Sequence, residues 1–446
     1  MKFSQNIRST DVLRFADNIV IKKHGGFLIA ISVDAGNWIV FESEFQKQIL
    51  EDLIDGKTIG EVFHQHIKSE QQKTEFMSLL KRIFARKFAT INTELKIDCL
   101  QSESYKKLYI YLTNECNLRC THCFMYAGSK LTNELCTDEW KSLITDFKQL
   151  GGEMITFTGG EPIMHSGFAE IIKHSHNIGL FVSVLSNGTL WNDQTIDELS
   201  QYISEIQISI DGVDEKSYSL VRGKRMFNHA VDTVVRFANN GVRTHVASTF
   251  TFENIADVQR YDKLIESIKS RTNNCIFFKL SKKMLPGRNT HYSDKENEHY
   301  FEVMKAEQEK IDKNSSYANF ILGHEPNVVS RNCGFGSLSI GADGNVYTCN
   351  RIIEVDVLGN IRQQPLEVFI EKARQINEKT SVDNVSPCSS CYLKYICCVG
   401  CRIDDFNFKG RLDNWNEEIM QIKCNNSFKY NLEETMINSF NYFYKF

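Results

Sequence analysis

Cys116-Asn117-Leu118-Arg119-Cys120-Thr121-His122-Cys123 places three thiols three and then two residues apart, directly after the apolar run Leu108-Tyr109-Ile110-Tyr111-Leu112. The run reads as a β-strand, and the loop that leaves it can wrap its thiolates around one small cube of iron and sulfide. Iron-sulfur clusters usually take four cysteine thiolates, so a compact three-cysteine loop leaves one iron for a ligand from elsewhere. Half of a zinc site or a set of buried apolar thiols would account for the cysteines alone. Neither accounts for Gly159-Gly160-Glu161-Pro162, which ends the next strand-like run, Met154 to Thr158.

The spacing closely resembles the cluster loop of the radical S-adenosylmethionine (SAM) enzymes. In that family the amino and carboxylate groups of SAM chelate the open iron, and an aromatic residue usually precedes the third cysteine, a place held here by His122. The resemblance implies that Cys116, Cys120 and Cys123 hold a [4Fe-4S] cluster and that Gly159, Gly160, Glu161 and Pro162 bind the SAM amino group. Glycines let backbone approach a ligand closely, and the Glu161 carboxylate can meet a ligand ammonium. Ser186-Asn187-Gly188-Thr189 and Ser209-Ile210-Asp211-Gly212 resemble family segments near the SAM ribose and methionyl carboxylate, with Ser186, Asn187, Ser209 and Arg222 as polar contacts. Asn-Gly and Asp-Gly are favoured in any turn, and Arg222 is equally readable as a solvated surface arginine. Leu285-Pro286-Gly287-Arg288 also resembles a loop common in this group.

Around these motifs strands and helices alternate, which points to a parallel sheet with helical crossovers. Strands are expected at Leu108 to Leu112, Met154 to Thr158, Phe181 to Leu185, Glu205 to Ile210, Arg243 to Phe250 and Cys275 to Leu280. Helices are expected at Asp138 to Leu150, Phe168 to Asn177, Gln194 to Gln201, Phe227 to Asn240 and Ile255 to Lys269. Six such units resemble the partial (β/α)6 TIM-type barrel of radical SAM enzymes, assigned to residues 101–325 of an α/β chain. Sites in such barrels lie at the carboxyl ends of the strands, where each motif above falls.

Ahead of the barrel, Asn18 to Ile21, Phe27 to Ser32 and Trp38 to Phe41 read as three strands joined by glycine turns. Helical spacing follows: Phe45, Ile49, Leu50 and Leu53 share a face that Gly56 ends, Thr58 opens a second helix, and Phe76 to Phe88 is a third. This winged-helix-like order over residues 1–100 resembles the RiPP recognition element, the domain that holds the leader of a ribosomally made precursor peptide. An extended leader would add to the edge of the third strand, gaining main-chain hydrogen bonds. The alternative is an ordinary structural or dimerising subdomain.

Residues 326–446 hold a second cysteine system: Cys333, Gly344-Asn-Val-Tyr-Thr-Cys349, then Cys388-x2-Cys391-x5-Cys397-x3-Cys401, and Cys424. The pattern looks like the SPASM extension, whose members carry two auxiliary [4Fe-4S] clusters. The resemblance gives Cys333, Cys349 and Cys401 to the first and Cys388, Cys391, Cys397 and Cys424 to the second. Some members have another cysteine soon after the position of Cys333, where this chain reads Gly334-Phe-Gly-Ser-Leu-Ser-Ile340. The first auxiliary cluster therefore has either an open iron or Cys398 as its fourth ligand. Zinc ribbons are the competing account of Cys388 to Cys401. Cys99, Cys136 and Cys275 stand alone and read as buried structural thiols, and the aromatic tail Phe440 to Phe446 as packing against the barrel or a partner subunit.

At 446 residues the chain has length for two to four domains. A net charge of -4 with no lysine or arginine block argues against non-specific nucleic-acid binding. No signal peptide or membrane span is read, so a cytoplasmic, membrane-free protein is expected. In a large chain of this kind fourteen cysteines, most of them gathered in short-spaced groups, speak for metal rather than disulfides. The resemblance implies SAM, three [4Fe-4S] clusters and an external one-electron reductant of flavodoxin or ferredoxin type. By it, a 5′-deoxyadenosyl radical takes hydrogen from a precursor peptide bound through its leader, and a thioether or carbon-carbon cross-link results. An enzyme making formylglycine in sulfatases is the runner-up; a cluster-bearing electron carrier or peptide chaperone is the non-enzymatic alternative.

Overall fold

The computed structural model of the protein describes residues 7–100, 106–223, 225–333, 337–416 and 424–444. After a short strand β1 (Leu13–Arg14), the N-terminal apolar runs form β2 (Ile19–His24), β3 (Phe27–Ser32) and β4 (Asn37–Phe41), antiparallel and in that order. Helices α1 (Glu44–Ile54), α2 (Ile59–His66) and α3 (Glu70–Ala85) follow. Each begins where a hydroxyl closes its first turn, Ser43, Thr58 and Ser69 accepting from the N–H groups of Gln46, Glu61 and Gln72. Those donors have no partner within a helix. Strand β5 (Thr90–Ile91) pairs with β1, and β6 (Asp98–Leu100) leads away.

The barrel alternates β7 (Lys107–Thr113), α4 (Thr137–Gln149), β8 (Met154–Gly159), α5 (Phe168–Asn177), β9 (Phe181–Ser186), α6 (Asp193–Leu199), β10 (Glu205–Ser209), α7 (Glu215–Arg222), α8 (Phe227–Asn239), β11 (Arg243–Ser248), α9 (Tyr261–Lys269) and β12 (Ile276–Leu280). The six strands pair in parallel in chain order. Alternate residues such as Ile110, Phe157, Val184, Ile208 and Val246 are fully buried under the helices, as the two-residue strand period requires. Two helices were not expected: the eight-residue α7 and the 29-residue α10 (Asp294–Leu322). The second changes partners along its length, Tyr300 and Met304 joining the barrel core and Ile321 the N-terminal core, so it shows no single apolar stripe.

The C-terminal region extends the same sheet. After β13 (Val328–Ser330), which pairs with β6, strand β14 (Leu338–Ile340) adds in parallel to β7, and β15 (Asn345–Tyr347) and β16 (Gly359–Asn360) continue antiparallel, giving nine strands. Helices α11 (Leu366–Lys379), α12 (Lys394–Cys397), α13 (Arg402–Phe406) and α14 (Asn426–Phe443) complete it. The aromatic tail packs elsewhere than expected. Met436, Ile437 and Phe440 of α14 enter the core beneath β3 and β4, and Trp38 donates to the Met436 carbonyl at 3.1 Å; residues 445–446 lie outside the described residues.

The third strand, β4, stands at an edge of its sheet, as expected, but that edge is covered. Every residue of β4 is buried, and its Val40 carbonyl accepts from Arg82 of α3 at 2.7 Å. The half-exposed edge is β2, the opposite strand. Among the described residues no helix is long and apolar enough to cross a membrane.

Candidate active site at the barrel mouth

The three-thiol loop leaves the carboxyl end of β7 and is pinned at once. Cys116 donates to the Gly128 carbonyl at 3.0 Å, and Gly128 to that of Asn114 at 2.8 Å. The Gly159 to Pro162 segment lies against it: Gly160 and Glu161 donate to the carbonyls of Thr113 and Glu115 at 2.7 and 2.8 Å. A Cβ on Gly160 would stand 2.2 Å from the Glu115 oxygen. Glycine is needed here for one strand end to reach the next.

Glu161 is buried in the same contact. It is 1% exposed, and its two oxygens accept from Ser186 Oγ at 2.6 Å and the Asn187 N–H at 2.7 Å. Burial pushes its carboxyl up to about 7, against the pull of those hydrogen bonds. Its carboxylate thus ties two strand ends together. Asn187 donates from Nδ2 to Asn117 Oδ1 at 2.9 Å and lies 4.0 Å from Cys116 Sγ. Pro162 is buried where a turn of 3-10 helix begins, and Ser209 is half-buried at the end of β10.

Arg222 is no surface residue. It is buried and paired with Asp211, Nε and Nη2 lying 2.7 and 2.6 Å from Oδ2. Asp211 Oδ1 accepts from the Thr249 N–H at 2.8 Å, and Oδ2 stands 3.2 Å from His122 Nε2. Burial holds His122 below the usual imidazole range, and its Nδ1 is buried without a partner. The Leu285 to Arg288 loop closes the other side. Arg288 donates to the carbonyls of Cys120 and Ala127 at 3.0 and 2.6 Å, and its N–H to that of Cys123 at 3.2 Å. A Cβ on Gly287 would stand 2.5 Å from the His122 oxygen. The roles of Asp211 and Arg288 are not legible in their motifs, because their partners Arg222, Thr249, Cys120 and Ala127 lie outside them.

In the C-terminal region the thiols gather in two neighbourhoods. Burial, and then the nearby thiols of Cys401 and Cys333, push the Cys349 thiol up; burial and then Cys424 and Cys391 do so for Cys388, with Cys388 and Cys424 also acting on Cys397. Cys398 adjoins Cys397, its Sγ 3.3 Å from the Ser330 carbonyl and 3.5 Å from that of Tyr395. Gly334–Gly336 lie outside the described residues. The three lone cysteines are not buried: Cys136 and Cys275 are exposed, at a helix start and a sheet edge, and Cys99 is half-buried.

All fourteen cysteines are free thiols. Burial, reinforced by neighbouring thiols, pushes Cys116, Cys349 and Cys388 up to about 11 and Cys397 to about 12. Buried thiols in such company become thiolates only with a strong cation beside them, which a metal centre supplies. Among the described residues no three His, Cys, Asp or Glu side chains stand close enough to share one metal ion; a cluster instead binds its thiolates to separate irons. The donor chemistry of these buried thiols fits iron-sulfur centres.

The Radical SAM superfamily profile matches residues 110–265, and that of an iron-sulfur cluster-binding domain, SPASM, matches residues 332–392. The chain is 28% identical over 189 residues to Fe-coproporphyrin III synthase of Methanosarcina barkeri, 42% of this chain and about half (47%) of that protein. It is 26% identical to AdoMet-dependent heme synthase of Nitratidesulfovibrio vulgaris over 69% of this chain and 89% of that protein. To the antilisterial bacteriocin subtilosin biosynthesis protein AlbA of Bacillus subtilis it is 23% identical over 64% of this chain and 66% of that protein. Among solved structures, native anSMEcpe with bound AdoMet has a TM-score of 0.55 at 18% identity, covering 75% of this chain and 99% of its own. Streptococcus suis SuiB bound to precursor peptide SuiA has a TM-score of 0.50 at 14% identity, covering 90% and 98%. SAM and iron-sulfur clusters are the cofactors these two domain types call for. The chain therefore carries a Radical SAM superfamily domain over residues 110–265 and a SPASM iron-sulfur domain over residues 332–392.

Proposed function

We propose that the protein is a peptide maturase that takes hydrogen from a ribosomally made precursor peptide and installs an intramolecular thioether or carbon-carbon cross-link. In this reading residues 1–100 hold the leader, residues 101–325 bind SAM, and residues 326–446 carry two auxiliary [4Fe-4S] clusters, three clusters in all. The carrying observation is that the N-terminal sheet is built onto the auxiliary domain. Glu433 of α14 accepts from Lys22 and Tyr392, both at 2.6 Å, and meets His24 at 3.0 Å; Tyr392 directly follows Cys391. A peptide held by the first module is thus held at a fixed distance from the cysteines. The likeness to SuiB supports this, since covering 90% of the chain it takes in at least half of the N-terminal module.

When bound, SAM and its cluster supply a 5′-deoxyadenosyl radical, able to take hydrogen from carbon that no side chain can activate. The chain's own residues do the positioning. Cys116, Cys120 and Cys123 hold the cluster; Arg288 fixes their loop; Gly159 to Pro162, Ser186, Asn187, Ser209, Arg222 and His122 shape the SAM pocket. An electron comes from a flavodoxin- or ferredoxin-type donor in the reducing cytoplasm.

A second reading rests on the 26% identity extending over 89% of a heme synthase; there the substrate is a tetrapyrrole. Co-expression with the neighbouring small peptide, followed by tandem mass spectrometry, separates the readings. A peptide short of two hydrogens and bridged is expected; an aldehyde would favour the formylglycine alternative, and an unchanged peptide with haem formed from an iron-loaded porphyrin precursor would favour the second reading. Anaerobic incubation with SAM and dithionite that yields no 5′-deoxyadenosine would defeat both.

A further inference from the structure

Arg402 opens α13 immediately after Cys401 and is 0% exposed. Its Nε donates to the Thr380 carbonyl at 2.8 Å, and its Nη1 to the carbonyls of Cys398 and Gly400 at 2.9 and 3.0 Å. These bonds set the guanidinium inside the turn from Cys397 to Cys401, where Cys398, Val399 and Gly400 all have left-handed backbone, φ 53°, 70° and 75°. Such a conformation is unfavourable for the two non-glycine residues, and the buried guanidinium holds it by gripping two of its carbonyls.

The same side chain has an unmet need. Nη2 is buried with no hydrogen-bond partner, and among the described residues no carboxylate pairs with the cation. Asp405, three residues on, accepts instead from the Cys401 N–H at 2.8 Å. A guanidinium does not lose its proton in a protein, and a buried charge without a counter-charge is strongly unfavourable. The groups whose ionisation would place negative charge near Arg402 are the thiols of Cys333, Cys398, Cys388 and Cys401. They belong to both cysteine neighbourhoods, since the turn it occupies begins in one and ends in the other.

We propose that Arg402 is the shared counter-cation of the two auxiliary iron-sulfur clusters, its Nη2 donating toward their sulfur atoms and its charge raising both reduction potentials. A thiolate-bound cluster is an anion, and reduction adds one more negative charge, so a buried cation and N–H···S contacts favour the reduced form. Sequence could not reveal this, because an arginine beside a cysteine is usually a surface residue. The inference rests on the auxiliary-cluster assignment above.

The test is an EPR-monitored redox titration of the reconstituted full-length protein. In Arg402→Gln both auxiliary signals should move to lower potential while the signal of the barrel cluster stays in place; in Arg402→Lys the shift should be smaller. Unchanged auxiliary potentials in Arg402→Gln overturn the proposal. Should that variant lose its auxiliary iron, the wild-type protein decides. Labelled with 15N-arginine, it should show nitrogen hyperfine coupling on both reduced auxiliary signals, and absence of coupling on either overturns the proposal. Wild-type protein that shows no auxiliary signals at all defeats the cluster assignment itself, an outcome distinct from signals that are present but do not shift.

Discussion

The guanidinium of Arg288 donates to the carbonyl of Cys120 at 3.0 Å from 168 residues away. With its second bond, to Ala127 at 2.6 Å, it makes one side chain the outer clasp of the cysteine loop. A hydrogen bond from a charged group contributes about 1.5–3 kcal/mol. Arg288→Ala should therefore loosen the loop, lowering its iron content and 5′-deoxyadenosine formation by about tenfold or more, the effect of roughly 1.4 kcal/mol. Iron analysis and EPR should show auxiliary iron retained; equal loss at all centres would contradict a local role.

Arg222 and Asp211 form a buried pair of 8% and 2% exposure under the same loop. Removing one partner of such a pair costs about 3–5 kcal/mol, because the other charge is left buried and alone. Arg222→Ala should lower anaerobic unfolding stability by that order, whereas the double variant Arg222→Met with Asp211→Leu should recover much of it. A single variant as stable as wild type would show that the pair is not desolvated.

Stability should depend on pH through Glu161. Its carboxyl stands at about 7 in the fold against an ordinary 4.5, so the folded protein binds the proton more tightly than the unfolded chain. The contribution is complete below about 4.5 and is lost as pH rises to about 7, at up to about 1.4 kcal/mol per pH unit. Denaturant midpoints of wild type and Glu161→Gln, compared between pH 5 and 8, should converge differently across that window. Parallel curves would show that Glu161 keeps its ordinary value.

The contact of the N-terminal module with the auxiliary domain depends on Glu433. Its partner Lys22 is 35% exposed, so that part is screened by solvent, but Tyr392 and His24 are lost as well. Glu433→Ala should cost about 2 kcal/mol and raise amide exchange in β2 and around Tyr392 while the barrel strands stay protected. Uniform exchange across the chain would mean a global rather than a hinge-like effect.

Much of this was legible in residue order alone. Each barrel strand lies within two residues of its expected place, and the cysteine spacings, the Gly159-Gly160 pair and the helix-opening hydroxyls Ser43, Thr58 and Ser69 are all local signals. Spacing carries such information because a turn, a cap or a metal loop is made by neighbours along the chain.

Only the tertiary structure decided the rest. That Arg222 is buried against Asp211, that Glu161 binds the Ser186 turn, that β4 is sealed beneath Arg82 and α14, and that Arg402 lies between two sets of thiols all depend on residues brought together from tens to hundreds of positions apart. An isolated arginine or glutamate reads the same whether it ends in water or in a core. Its burial and counter-charge are properties of the packed fold, and those set its chemistry.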